Sequence, residues 1–173
     1  MENQEIKKSP EFLGYILELN EGRSLDKAFK KSITDIDALD LAQLNRIGHQ
    51  VYAKDKWTVH TILQHLIDWE RIWCYRAIVF ARNEGNTPDA LDQEIMAENS
   101  NANERTIEEL IDEMKMVRQS TIALFGSFDE NLLQLSCEFY QYAMPLHTLA
   151  LAVTSHQIHH FNILEERYWP LDV

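Results

Sequence analysis

The chain has 173 residues, 45% of them hydrophobic and 25% charged, which is enough apolar material for a single folded domain and too much for a disordered one. Its 28 acidic against 16 basic side chains give a formal net charge of -12, a field that repels phosphate backbones and anionic lipid headgroups. Nucleic acid and membrane surfaces are therefore not expected partners, and a small molecule is.

No apolar run approaches the roughly eighteen residues that a spanning helix needs, and Met1-Glu2-Asn3-Gln4-Glu5 shows no basic stretch leading into an apolar one. The expected location is cytoplasmic. Cys74 and Cys137 lie far apart with no Cys-x-x-Cys partner, so both are read as free thiols.

With only 5 Gly and 4 Pro, the long uninterrupted stretches favour helices. A short helix is expected over about Glu11–Asn20, closed by Gly22, with Ser24 placed to cap the next. From Leu25 the residues Phe29, Ile33, Ile36, Leu39, Leu41 and Leu44 recur at helical spacing, which predicts a first bundle helix up to Ile47-Gly48. Thr58 is the expected N-cap of a second, running to about Asn83 with a core stripe of Ile62, His65, Leu66, Trp69, Ile72, Trp73, Arg76 and Phe80.

Glu84–Ser100, with Gly85, Asn86 and Pro88, reads as the long connection between the second and third bundle helices. The third spans about Ala102–Phe125, stopped by Gly126, with Ile107, Leu110, Ile111, Met114, Val117, Thr121 and Leu124 facing the core. Ser127–Met144 is mixed and receives no element. The fourth starts at Pro145, whose missing N–H costs nothing in a first turn, and continues to about Tyr168. The expected fold is all-α, a four-helix bundle with its core over about 25–169.

The histidines carry the functional signal. The core stripe of the fourth helix is Leu146, Leu149, Val153, His156, His160, Ile163 and Leu164, so two imidazoles replace apolar residues on the buried side. His156 and His160 lie about 40° apart around the helix and about 6 Å along it, close enough to share one ion, whereas His159 is turned about 100° from His160. His65 alone answers them from a stripe position on another helix; His49, His60 and His147 fall at helix ends or in first turns. A lone histidine on an apolar face is ordinarily a hydrogen-bonded core residue. Core histidines of that kind are one reading of these three; the other is a divalent metal held between facing helices of a bundle, for which neutral imidazoles suit zinc, nickel, iron or copper better than magnesium or calcium.

His156-Gln157-Ile158-His159-His160 is not the metalloprotease motif, because Gln157 stands where His-Glu-x-x-His needs a proton-accepting Glu. Asp68 can orient a ligand ring or act as a base, with a solvated or Arg-paired carboxylate as the alternative. Glu70-Arg71 reads as a surface pair. Tyr140, Tyr142 and His147 are candidates for the mouth of the site.

Lys56-Trp57-Thr58, then Leu63-Gln64-His65-Leu66-Ile67-Asp68-Trp69-Glu70-Arg71, then His156-Gln157-Ile158-His159-His160 resembles the DinB-like superfamily, the DinB- and YfiT-like group, over about Leu25–Trp169. The resemblance implies a four-helix bundle that binds a divalent metal, often nickel or zinc, through residues matching His65, His156 and His160. Its characterised members include thiol-dependent isomerases and transferases, which implies a low-molecular-weight thiol as a further cofactor. Many relatives carry Glu where this chain has Gln157, so a role needing a carboxylate there does not transfer.

Two function classes follow. One is a metal-dependent enzyme of thiol-transferase or hydrolase type. The other is a non-catalytic, stress-related metal-binding or dimerisation protein, in which Trp57, Trp69, Trp73 and Trp169 form either bundle core or a homodimer face.

Overall fold

The computed structural model describes residues 10–20, 22–83, 91–139 and 142–172. A first helix, α1 (Pro10–Glu18), leads into α2 (Leu25–Asp37). Ser24 occupies the N-cap position of α2, but its side chain makes no capping bond; its carbonyl accepts from the Ala28 N–H at 2.9 Å instead.

The sequence predicts one helix from Leu25 to Gly48, and the chain instead forms two. α2 closes at Ala38, whose N–H turns back onto the Thr34 and Ile36 carbonyls, and α3 (Leu41–Ile47) begins afresh where the Asp40 carboxylate accepts from the Gln43 N–H at 3.0 Å. A side-chain cap offers the backbone an alternative to the next helical turn, so it ends one helix and starts another. Gly48 then closes α3 with φ +57, a left-handed value open to glycine.

α4 (Val59–Ala81) starts at Thr58 as expected, its hydroxyl accepting from the Thr61 N–H at 3.1 Å. Part of the expected connection, 84–90, lies outside the described residues, and the remainder is not all loop: Asp92 caps a short helix, α5 (Gln93–Glu98). α6 (Ile107–Gly126) opens with a full capping box between Thr106 and Glu109, later than the predicted Ala102 start, because Ala102–Glu104 is a separate 3₁₀ turn.

The unassigned stretch forms α7 (Glu130–Leu133) and a hairpin of β1 (Ser136–Phe139) and β2 (Tyr142–Pro145), antiparallel with Cys137 opposite Met144. Four-residue strands leave too short an alternation to be read from sequence. α8 (Leu146–Ile163) follows directly and gives way to a π-helical stretch, Leu164–Tyr168, and a 3₁₀ turn that admits Pro170.

α2, α4, α6 and α8 are the four bundle helices. α4 packs on α6 and α8, α2 on α8 and α6, and α1 lies along α8. Two apolar clusters fill the interior. One gathers Phe29, Trp69, Trp73, Phe125, Leu146, Leu149 and Val153; the other gathers Leu63, Ile67, Ile107, Leu110, Met114, Leu164 and Tyr168. On α8 the changeover falls between Val153 and Phe161, where His156 and His160 stand, and on α4 it falls between Ile67 and Trp69, one turn after His65. Among the described residues no helix is long and apolar enough to cross a membrane.

Candidate metal centre

The structure brings together the three histidines singled out from the sequence. The His65 and His156 Nε2 atoms are 3.1 Å apart, as are those of His156 and His160. His65 and His160 are buried and His156 is half-buried. Among the described residues this is the one group of three or more His, Cys, Asp or Glu whose donor atoms converge as metal ligands do.

The donor set fits an ion. Two of the three Nε2 separations, 3.1 Å each, are short enough for both nitrogens to reach one ion at metal–nitrogen distances of about 2.1 Å. Without a cation, each of the two Nε2 contacts needs one ring to donate and the other to accept. His156 Nε2 takes part in both, yet a ring nitrogen carries either one proton or one lone pair. A single cation between the rings accepts all three lone pairs at once.

Aromatic walls surround the trio. Trp57 lies 4.7 Å from the His65 ring and is stacked 6.4 Å from His160, Trp69 is stacked 5.0 Å from His65, and Trp73 is 5.0 Å from His156. Trp57 reaches this place from the loop before α4. Its indole N–H donates to the Glu94 carboxylate on α5 at 3.1 Å, and its carbonyl accepts from the buried Tyr168 hydroxyl. Trp69 and Trp73 are core residues and Trp57 and Trp169 are half-buried against the core, so the indoles serve the interior.

The neighbouring candidates separate cleanly. His159 is not one of the converging donors: its ring stands 5.0 Å from that of His160, but its Nδ1 lies 3.3 Å from the Tyr15 hydroxyl. His147 stands two and a half turns before His156, about 13 Å along α8, too far to join it. Tyr140 and the Tyr142 side chain lie outside the described residues. His49 and His60 form a separate pair with ring centroids 4.5 Å apart. Burial lowers the His60 pKa and the neighbouring His49 adds to it, against a hydrogen bond to the Gly48 backbone. Both cysteines are remote from metal-like company, and burial pushes each thiol up to about 11.

Asp68 does not orient a ligand ring. Its Oδ1 accepts from the Gln64 amide at 2.9 Å, and the residue lines a small cleft with Thr61, Gln64, His65 and Trp69 of α4 and Met96, Ala97 and Ser100 opposite. Burial raises its pKa, partly offset by the Gln64 bond and the charge of Arg71.

Glu70 is the main correction. Expected on the surface, it is 3% exposed and bonded through both oxygens to Arg118, itself 1% exposed, at 2.8 and 2.9 Å. The third Arg118 nitrogen donates to Gln157 Oε1 at 2.8 Å, and Gln157 Nε2 donates to the Ser32 carbonyl at 3.0 Å. One polar network thus ties α4, α6, α8 and α2 together beside His156. The signal for it was available: Met114, Arg118, Thr121 and Phe125 share one helical phase, as do Leu66, Glu70, Trp73 and Ala77. Arg71, by contrast, does pair at the surface, with Glu113 at 2.6 Å.

No curated protein matches the sequence. Among solved structures the fold is similar to that of YfiT from Bacillus subtilis, described as a probable metal-dependent hydrolase with an unusual four-helix bundle topology. The two share 14% identity at a TM-score of 0.67, over 94% of this chain and 89% of that one. The sequence also matches the family model of the DinB superfamily over residues 24–164, and the chain belongs to that superfamily.

Proposed function

We propose that the protein is a metal-dependent enzyme of hydrolase type, holding one divalent transition metal, zinc or nickel, on His65, His156 and His160 and acting on a small molecule. The observation that carries this reading is the convergence of three imidazole Nε2 atoms at 3.1 Å contacts inside a wall of tryptophans. Three protein ligands leave coordination positions open, as catalytic sites require. When bound, the metal would supply Lewis-acid polarisation and a lowered pKa for water. The chain's own contribution is to fix the three rings on two rigid helices and to exclude bulk water with Trp57, Trp69 and Trp73. The description of YfiT as a probable metal-dependent hydrolase supports the same class for a chain of this fold.

A thiol-transfer reaction is the second enzymatic reading. It would take its thiol from a low-molecular-weight cofactor, since Cys74 and Cys137 are held protonated with pKa values near about 11. The test loads purified protein with zinc or nickel and offers it esters, amides and thiol–electrophile pairs alongside a His65→Ala variant. Turnover by the loaded wild type and not by the variant is the expected result. Equal background rates from both would leave the non-catalytic metal-binding alternative, and a dimer on calibrated gel filtration would favour its dimerisation form.

A further inference from the structure

The imidazoles are walled in on the side of His65 and His160. Both residues are 5% exposed, Trp57 stands against their rings, and the space between α4 and Met96, Ala97 and Ser100 has room for about one water molecule. A ligand larger than water reaches these two rings only if part of that wall moves.

The parts of the wall differ in how firmly they are held. Trp69 and Trp73 belong to the core face of α4, which the buried Glu70–Arg118 pair ties to α6. Trp57 is fixed through its backbone. Its carbonyl accepts from the buried Tyr168 hydroxyl, and the next residue, Thr58, caps α4 and donates to Asn103 Oδ1 at 2.7 Å.

α5 has no such footing. None of its residues is buried, Ile95 is 59% exposed, and Met96 alone packs against the core cluster. Glu94 Oε2 accepts from the Trp57 indole N–H at 3.1 Å, while Gln93 Nε2 donates to the other carboxylate oxygen at 3.1 Å. Among the described residues, the Glu94–Trp57 bond is the one hydrogen bond that joins Gln93–Glu98 to another element. The chain is held again at the buried Ala102 and at Asn103, which leaves residues 99–101 as the stretch about which α5 can turn. Elements with little buried surface open at the lowest cost, and hinges form at element ends.

We propose that α5 is a flap over the metal centre and that the bond between Glu94 and the Trp57 indole is the latch that holds it shut. Turning α5 away uncovers His65 without disturbing α4 or α8, so the ligand rings keep their places. The inference rests on the metal-binding reading for what lies beneath the flap. A gate changes how fast a ligand enters and leaves, in equal measure, and leaves its affinity alone.

The experiment uses the full chain with Glu94→Ala, Trp57→Phe and the double variant. Trp57→Phe keeps an aromatic ring against the histidines and lacks the N–H. Zinc uptake, and zinc release to pyridylazoresorcinol, are followed by stopped flow. Each single variant is expected to speed both about tenfold or more, the range for losing a hydrogen bond to a charged acceptor, with the zinc dissociation constant changed by less than about twofold. The double variant should be no faster than the singles, because both remove the same bond. A second readout needs no metal. Thr61, buried in the wall opposite Ala97, is replaced by Cys, and its reaction with N-ethylmaleimide is measured above the background of Cys74 and Cys137. Glu94→Ala should speed that reaction about tenfold as well. Equal labelling with and without the latch overturns the proposal. So does faster labelling with unchanged zinc kinetics, which would put the entrance on the half-buried His156 side, and so does faster release with unchanged uptake, which would make Glu94 a determinant of affinity. Latch-dependent labelling in a chain that binds no zinc would remove the metal reading and leave the flap.

Discussion

Arg118 and Glu70 form a two-pronged ion pair inside the bundle, with nitrogen–oxygen distances of 2.8 and 2.9 Å, and Arg118 spends its remaining reach on Gln157, the neighbour of His156. The pair explains why an amide stands at position 157. Arg118 is the single guanidinium in the network and Glu70 already neutralises it, so a second carboxylate would be buried without a partner of its own.

Glu70→Gln, which strands the Arg118 charge, is expected to cost about 3–5 kcal/mol in urea unfolding, the range for breaking a buried pair from one side. Gln157→Glu should also destabilise. The exchange Glu70→Gln with Gln157→Glu restores one carboxylate per guanidinium and should recover a substantial part of the loss. A double variant no more stable than the sum of the singles would show that the network does not act as a unit.

Single Ala substitutions of His65, His156 or His160 should each lower metal content after purification, and the triple variant should bind none, as read by elemental analysis. His159→Ala should keep full occupancy, because that ring faces Tyr15. Metal in excess of its dissociation constant by about 100-fold should stabilise the fold by about 2.7 kcal/mol, and a chelator should reverse this. Unchanged metal in the triple variant would place the ion elsewhere.

Two pH effects act in the same direction and can be separated. Metal should leave as pH falls below about 6, when the imidazoles protonate. His60 adds a term independent of metal. Its folded pKa lies below the unfolded value of 6.5, so the unfolded chain binds the extra proton first, and stability falls as pH drops through 6.5 towards the folded pKa. Metal-free protein should therefore still lose stability over that window, and His60→Gln should lose less of it.

Asp68 has the opposite sign. Its folded pKa is raised above 3.8, so the folded state holds its proton more tightly, and the penalty for ionising it grows as pH rises from the unfolded value and is fully present above the folded one. Asp68→Asn should raise Tm slightly at pH 7, with the gain disappearing below about pH 4. A variant less stable than wild type at neutral pH would mean that the Gln64 bond outweighs the burial cost.

Tyr168→Phe removes the hydroxyl that holds the Trp57 carbonyl. The expected cost is about 1 kcal/mol, together with a change in tryptophan fluorescence as the lid over His65 and His160 loosens. Identical spectra in the two proteins would show that Glu94 alone fixes Trp57.

Much of the fold was legible because it depends on local rules. Helical phase selected His156 and His160 over His159, put His65 on the facing stripe, and located the start of α4 at Thr58. The Asp40 cap was missed because apolar spacing runs through it unchanged: Leu39, Leu41 and Leu44 keep a helical rhythm across a backbone that has already turned. The hairpin was missed because its pairing of Ser136–Phe139 with Tyr142–Pro145 is set by backbone partners rather than by a pattern within either strand. Glu70 and Arg118 lay in phase with their core stripes, yet each alone reads as a surface charge. Burying a charge is costly unless a partner is present, and that partner, 48 residues away, exists only once α4 and α6 are packed. The same holds at the centre of the molecule. The sequence by itself determined which three rings stand on the core stripes of α4 and α8, and the tertiary structure alone decided that the His65 Nε2 meets the pair on α8, because that distance depends on how far apart α4 and α8 stand.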